Sequence, residues 1–204
     1  TNVGAVRAMR ALSESSGRMN KALARLASGS RIVSPGDDAG GLAVALKFDA
    51  QISRNRGVSN NLTSALSFSQ TQDGFLQKVG KALDRMSELA TLALDTTKST
   101  SDITNYNTEF TDLKSYISDI GTKKFNGVTL FDGNALAITK DSDGGTWSLN
   151  ASSLNAVDIT SVIASAFAVS STGAVGTLST AIENVATHRA KIGANIQRIQ
   201  FTQE

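Results

Sequence analysis

Residues 28–43, SGSRIVSPGDDAGGLA, gather the chain's only proline, four glycines and two adjacent aspartates. Those residue types serve three kinds of chemistry: a glycine loop around phosphate, a carboxylate loop around a metal, or a bend between two rigid elements. A phosphate loop needs Gly-Lys-Ser/Thr or GxGxxG. SPGDDAGG has neither, and Asp37 and Asp38 would repel phosphate. A second acidic stretch, DSDGG at 141–145, has the look of a calcium loop. An EF-hand requires glycine at its sixth position and glutamate at its twelfth. Gly144 and Gly145 come too early and Ser152 fills the twelfth place, so DSDGG reads as a turn. His188, the only histidine, lies in VATHRAKIG without the partners that a relay or a zinc site needs. It reads as a surface helix residue. There is no cysteine, which excludes disulfides and thiol chemistry. HExxH and GxSxG are absent. No enzyme, cofactor or metal site is expected, and the bend is the reading left for residues 28–43.

A bend implies rods on either side of it. Ala5, Met9, Leu12, Ser16, Met19, Leu23 and Leu26 recur at alternating spacings of 4 and 3, the heptad of a coiled coil. Gly29 is a natural stop for that helix. Helical pattern resumes near Ala39, with Asp37 and Asp38 suited to its first turn. It runs to about Leu94. Its seam is Val58, Leu62, Ala65, Ser69, Gln72, Leu76, Val79, Leu83, Met86, Ala90 and Ala93. A helix of roughly 50 residues at 1.5 Å each would span about 75 Å, so an elongated molecule is expected. LDTTKSTSD reads as a turn, and Tyr106, Phe110, Leu113, Ile117 and Ile120 mark a third helix.

The period then changes. KFNGVTLFDG carries Asn126-Gly127 and Asp132-Gly133, two turn dipeptides. Leu136 and Ile138 before DSDGG, with Trp147 and Leu149 after it, alternate as in a β-hairpin. Residues 151–176 carry little pattern. A last helix follows on Leu178, Ile182, Val185, Arg189, Ile192, Ile196, Ile199 and Gln203, in step up to Glu204. The expected fold is mainly α: an elongated rod of long antiparallel helices and coiled coil, with a small β-hairpin region. The first rod has no evident partner within the chain, which implies further chain or neighbouring subunits.

Composition agrees with this plan. Hydrophobic residues are 40% and aromatics 5%, enough for a thin aliphatic core. Net charge is +2, and nothing in it demands nucleic acid or an anionic membrane. Residues 1–60 hold nine Lys/Arg against four Asp/Glu, spread as on a solvated helix face. No apolar run approaches the roughly 20 residues of a membrane helix, and no signal-peptide pattern opens the chain. A cytosolic protein, or one exported without a cleaved signal, is expected.

Four blocks go beyond periodicity: ALARLASGSRIVSPGDDAGGLAVALKFDAQI, LDRMSELATLAL, FNGVTLFDG and IENVATHRAKIGANIQRIQ. In this order they resemble bacterial flagellins, over residues 1–133 and 178–204. The resemblance implies an inner-tube helix at 1–31 and a spoke at 32–40. It implies the N-terminal part of a rod domain at 41–133, a small β or variable insertion at 134–177, and a truncated C-terminal rod helix at 178–204. Arg31, Pro35, Asp37 and Asp38 are then the spoke and subunit-interface residues, with Pro35 and Gly36 forcing an extended turn and the aspartates offering charge to neighbouring subunits. The implied function is that of a structural subunit of the flagellar filament. It would be exported by the flagellar type III system, polymerised with itself beneath a cap, and joined through junction proteins, outside the cell. Related chains continue past IQRIQ into a C-terminal inner helix; a chain ending at Glu204 is expected not to build a normal filament.

Some flagellins are sensed by an animal Toll-like receptor. The resemblance carries that surface onto Asp84, Arg85, Glu88, Leu89, Glu109 and Arg198, with Ser87 standing where active relatives carry arginine. The plainer reading of these residues is subunit contact and helix-bundle surface. Residues 151–177, rich in Ser and Thr, could carry O-linked glycans. The alternatives are a hook–filament junction protein and a generic coiled-coil adhesion or binding module.

Overall fold

A computed structural model describes residues 2–150, 152–154, 157–164, 167–171 and 173–203. The chain packs as two units, residues 1–54 and 55–204. The first holds helix α1 (Val3–Ser28), a connector, and the start of α2 (Ala39–Ala93). The second holds the rest of α2, α3 (Thr100–Gly121), β1 (Lys124–Phe125), β2 (Val128–Thr129), β3 (Ala137–Thr139), β4 (Thr146–Ser148), α4 (Val157–Ile163) and α5 (Ala174–Gln203).

Helix α1 is capped by its own sequence. The Asn2 side chain accepts from the Ala5 N–H at 3.3 Å, and Gly29 ends the helix in the left-handed conformation at φ 64°. None of its residues is buried, and the heptad side chains Met9, Leu12, Met19, Leu23 and Leu26 are exposed.

In the second unit, α2 is the element around which the others pack. Every member of its expected seam is buried except Val58, and Phe68, Ala82 and Leu89 join them. That stripe is broader than a coiled-coil seam because α2 meets helices on two sides. Arg85 of α2 pairs with Glu109 of α3, and Asp73 of α2 with Arg189 of α5. Gln203 of α5 reaches Thr63, ten residues before Asp73, so α5 runs antiparallel to α2. α3 starts at a capping box: Ser99 Oγ accepts from the Asp102 N–H, and the Asp102 carboxylate accepts from the Ser99 N–H.

The α5 seam differs from the expected one. The buried positions are Ala174, Leu178, Ala181, Val185, His188, Ile192, Asn195 and Ile199. Ala181, His188 and Asn195 take the places expected of Ile182, Arg189 and Ile196. Each substitute is small or hydrogen-bonded. The Asn195 amide accepts from the Asn150 N–H at 3.0 Å and donates to its C=O at 3.3 Å, and His188 Nδ1 lies 3.5 Å from Ser152 Oγ. His188 is therefore a buried helix residue, not a surface one. Ile182 and Ile196 border the core from the edge of the seam, half-buried.

Two hairpins close the hydrophobic end of this unit. Asn126 (φ 48°) and Gly127 (φ 81°) form the two-residue turn that pairs Phe125 with Val128. The DSDGG turn joins β3 to β4, with Ile138 opposite Trp147. There the Asp141 carboxylate accepts from the N–H groups of Asp143 (3.0 Å) and Gly145 (2.7 Å), so it organises a turn. Phe125 meets Phe68 of α2 edge-on at 5.9 Å, while Leu130 and Phe131 are fully buried. α4, absent from the expectation for 151–176, buries Ile159 and Val162. The segment 151–177 expected to carry glycans lies partly outside the described residues, as does the Glu204 end of the last helix.

Candidate functional site

The residues singled out by sequence lie in the connector and on α2, α3 and α5. In the connector, the Asp37 N–H donates to the Ser34 C=O at 2.9 Å and closes a turn with Pro35 at its second position. The turn is hydrogen-bonded and tight rather than extended. Both aspartates precede the helix instead of lying in its first turn. Asp38 is the N-cap: its Oδ1 accepts from the Gly41 N–H at 2.7 Å and its Oδ2 from Arg31 at 3.3 Å. Asp37 accepts from Lys21 of α1 at 3.1 Å and from the Val33 and Ser34 N–H groups at 3.4 and 3.3 Å. The Lys21 contact chiefly, and then the two amides, hold the Asp37 carboxyl below its ordinary pKa of 3.8. Arg31, Asp37 and Asp38 thus meet partners within their own unit, and Pro35 is exposed.

On α2, Arg85 forms a two-point pair with Glu109 at 2.7 and 3.0 Å, and a third bond to Glu88 at 2.8 Å. The pairing lowers the Glu109 pKa below its ordinary 4.5 and raises that of Arg85. Asp84 is exposed beside them. The other two proposed receptor residues are not brought to this cluster as a continuous exposed surface. Leu89 is 0% exposed in the core. Arg198 lies on α5 with its guanidinium 4.1 Å from the Trp147 ring centroid, at the β3–β4 hairpin.

Buried polar side chains anchor one element to another. Gln72 donates to the Leu130 C=O. Lys114 of α3 is 8% exposed and donates to the C=O groups of Ala164 (2.5 Å) and Phe167 (2.7 Å), just past the end of α4. A cation there suits the carbonyl-rich C-terminal end of a helix, and it shares the Ala164 C=O with the Phe167 N–H. Burial pushes the Lys114 pKa down. Gln72 and Ser69 were visible as polar members of a seam, whereas Lys114 is one position away from Leu113 and left no signal. Among the described residues no group of three or more His, Asp or Glu is placed to hold a metal. Nor, among the described residues, is any helix long and apolar enough to cross a membrane.

Comparison with known proteins accords with this geometry. The model of the bacterial flagellin N-terminal helical region matches residues 1–135. The chain is 36% identical over 123 residues to flagellin 1 of Proteus mirabilis, covering 60% of this chain and 34% of that one. It is 32% identical over 194 residues to a flagellin of Salmonella choleraesuis, covering 90% of this chain and 39% of the relative. It therefore spans well under half the length of these relatives. The crystal structure of Bacillus cereus flagellin superposes with a TM-score of 0.63 at 25% identity, over 71% of this chain and 87% of that one.

Proposed function

The chain belongs to the bacterial flagellin family, a family of structural proteins, and from that premise we propose that it is a subunit that polymerises with itself into the flagellar filament for swimming. The observation that carries this is the state of α1. A 26-residue helix with a regular apolar heptad buries none of its side chains. Such a helix gains its stability from partners, and a polymer of identical copies supplies them at every repeat.

In this reading α1 lines the inner tube, residues 32–40 are the spoke, and 41–133 with 178–204 form the rod, with 134–177 as a small insertion. Arg31, Pro35, Asp37 and Asp38 set the geometry of the spoke from within. The subunit works outside the cell, reached through the flagellar export machinery, with cap and junction proteins as further partners. Arg85, Glu88, Asp84 and Glu109 form the surface that the flagellin-sensing Toll-like receptor would meet. Leu89 then acts from below by holding Arg85 and Glu88 in place, and Arg198 contributes separately beside Trp147.

The deciding experiment adds the protein, as its gene encodes it, to sheared filament seeds and follows growth by electron microscopy. Elongation into helical filaments supports the reading; discrete oligomers that never extend a seed overturn it.

A further inference from the structure

The chain has three methionines, and they stand in opposite surroundings. Met9 and Met19 belong to the apolar seam of α1 and are 72% and 61% exposed, whereas Met86, in the core stripe of α2, is 0% exposed. Methionine suits such a seam because its unbranched thioether adapts to whatever it packs against. The same sulfur is open to oxidation when solvent reaches it, and the sulfoxide that results is polar and chiral where methionine is apolar. The α1 seam is already interrupted once, by Ser16, which stands one heptad after Met9 and three residues before Met19.

We propose that Met9 and Met19 form an oxidation site that switches off assembly: a peroxide converts both thioethers of the free subunit to sulfoxides, and the oxidised α1 no longer joins a growing filament. In each step the sulfur lone pair takes one oxygen from hydrogen peroxide, the O–O bond breaks, and the other oxygen leaves as water. Sulfur is oxidised by two electrons and the peroxide is reduced by two. A sulfoxide oxygen accepts hydrogen bonds, so sealing it into an apolar seam strips it of water and demands a donor. The seam itself offers one hydroxyl, that of Ser16, for two such oxygens. With both methionines oxidised, positions 9, 16 and 19 are all polar, and the apolar stripe is cut at its middle. Met86 is shielded by the core, so the packing of residues 55–204 is left alone. The inference rests on the filament reading and adds a chemical control to it.

The test treats the protein, as its gene encodes it, with hydrogen peroxide, removes the peroxide, and adds the protein to untreated seeds. Peptide mass spectrometry locates the added oxygen. Met9 and Met19 are each expected to gain one oxygen at least about tenfold faster than Met86. The critical concentration for elongation is expected to rise about tenfold or more, and the two methionine sulfoxide reductases, one for each epimer, to return it to within about threefold of the untreated value. For Met9→Leu with Met19→Leu, compared with itself before and after peroxide, a change of less than about twofold is expected. Equal oxidation of Met86, ordinary growth of the doubly oxidised protein, a loss that the reductases do not reverse, or the same loss in the double variant overturns the oxidation site while leaving the filament reading intact. Failure of the untreated protein to grow overturns the filament reading itself.

Discussion

Asp37 shows how much of the connector depends on one carboxylate. It accepts from Lys21 and from two backbone amides, and its pKa lies below 3.8. A depressed folded-state pKa means that the carboxylate favours the ordered connector at all pH values above 3.8 and ceases to do so as the pH falls through the depressed value. The Val33 and Ser34 amide resonances should titrate together with a midpoint below 3.8, and Lys21→Ala should move that midpoint upward. A midpoint that Lys21→Ala leaves in place would show that the amides alone hold the charge. At Arg85 a single side chain joins α2 to α3 through Glu109. Arg85→Ala should weaken signalling in a receptor reporter cell while leaving the helical circular dichroism intact. Leu89→Ala should lower signal and stability together, since that side chain is in the core. An unchanged signal from Arg85→Ala would remove this surface from the receptor proposal.

Elements reveal where burial matters. Leu83 is 0% exposed on α2, so Leu83→Ala should cost about 2–5 kcal/mol in denaturant unfolding. Asn195→Ala should cost about 1–3 kcal/mol, because it removes two hydrogen bonds, each worth about 0.5–1.5 kcal/mol, between α5 and the backbone of Asn150. The helices were legible in sequence because Leu, Met and Ala recur at helical spacing and because Gly29, Asp37-Asp38 and the LDTTKSTSD stretch punctuate them. The β3–β4 hairpin was legible because DSDGG between alternating residues admits few other conformations, whereas at Asn126-Gly127 the turn was legible and the two-residue strands it joins were too short to show. The α5 seam was misread for a physical reason. Apolar type ranks Ile182 and Ile196 above His188 and Asn195, but close approach to the hairpin strands favours side chains that can satisfy its backbone. α4 escaped because seven residues show barely two turns of pattern. The bend between α1 and α2 was legible, whereas the burial of Leu89 and the anchoring by Lys114 required the packing itself.

At the scale of the molecule, the two units differ in what their apolar residues do. Most of those of residues 55–204 are sealed into a core of Leu, Ile, Val, Met and aromatic side chains, with Leu94, Val128 and Phe201 left exposed. None of those of α1 is buried. A substitution in the α1 seam should therefore leave folding of residues 55–204 unchanged and act on assembly alone. Burying a Leu against a partner is worth about 1.5–3 kcal/mol, so Leu12→Lys with Leu23→Lys forfeits about 3–6 kcal/mol per added copy. At 1.4 kcal/mol per factor of ten, that raises the concentration needed for growth at least about a hundredfold. The measurement is the critical concentration for elongation from seeds, taken beside a thermal melt of the same protein. Loss of growth with an unaltered melt is the expected pair of results. Growth at the ordinary concentration would mean that the exposed heptad is not the surface that copies share, and the reading of α1 as the inner-tube helix would fall with it.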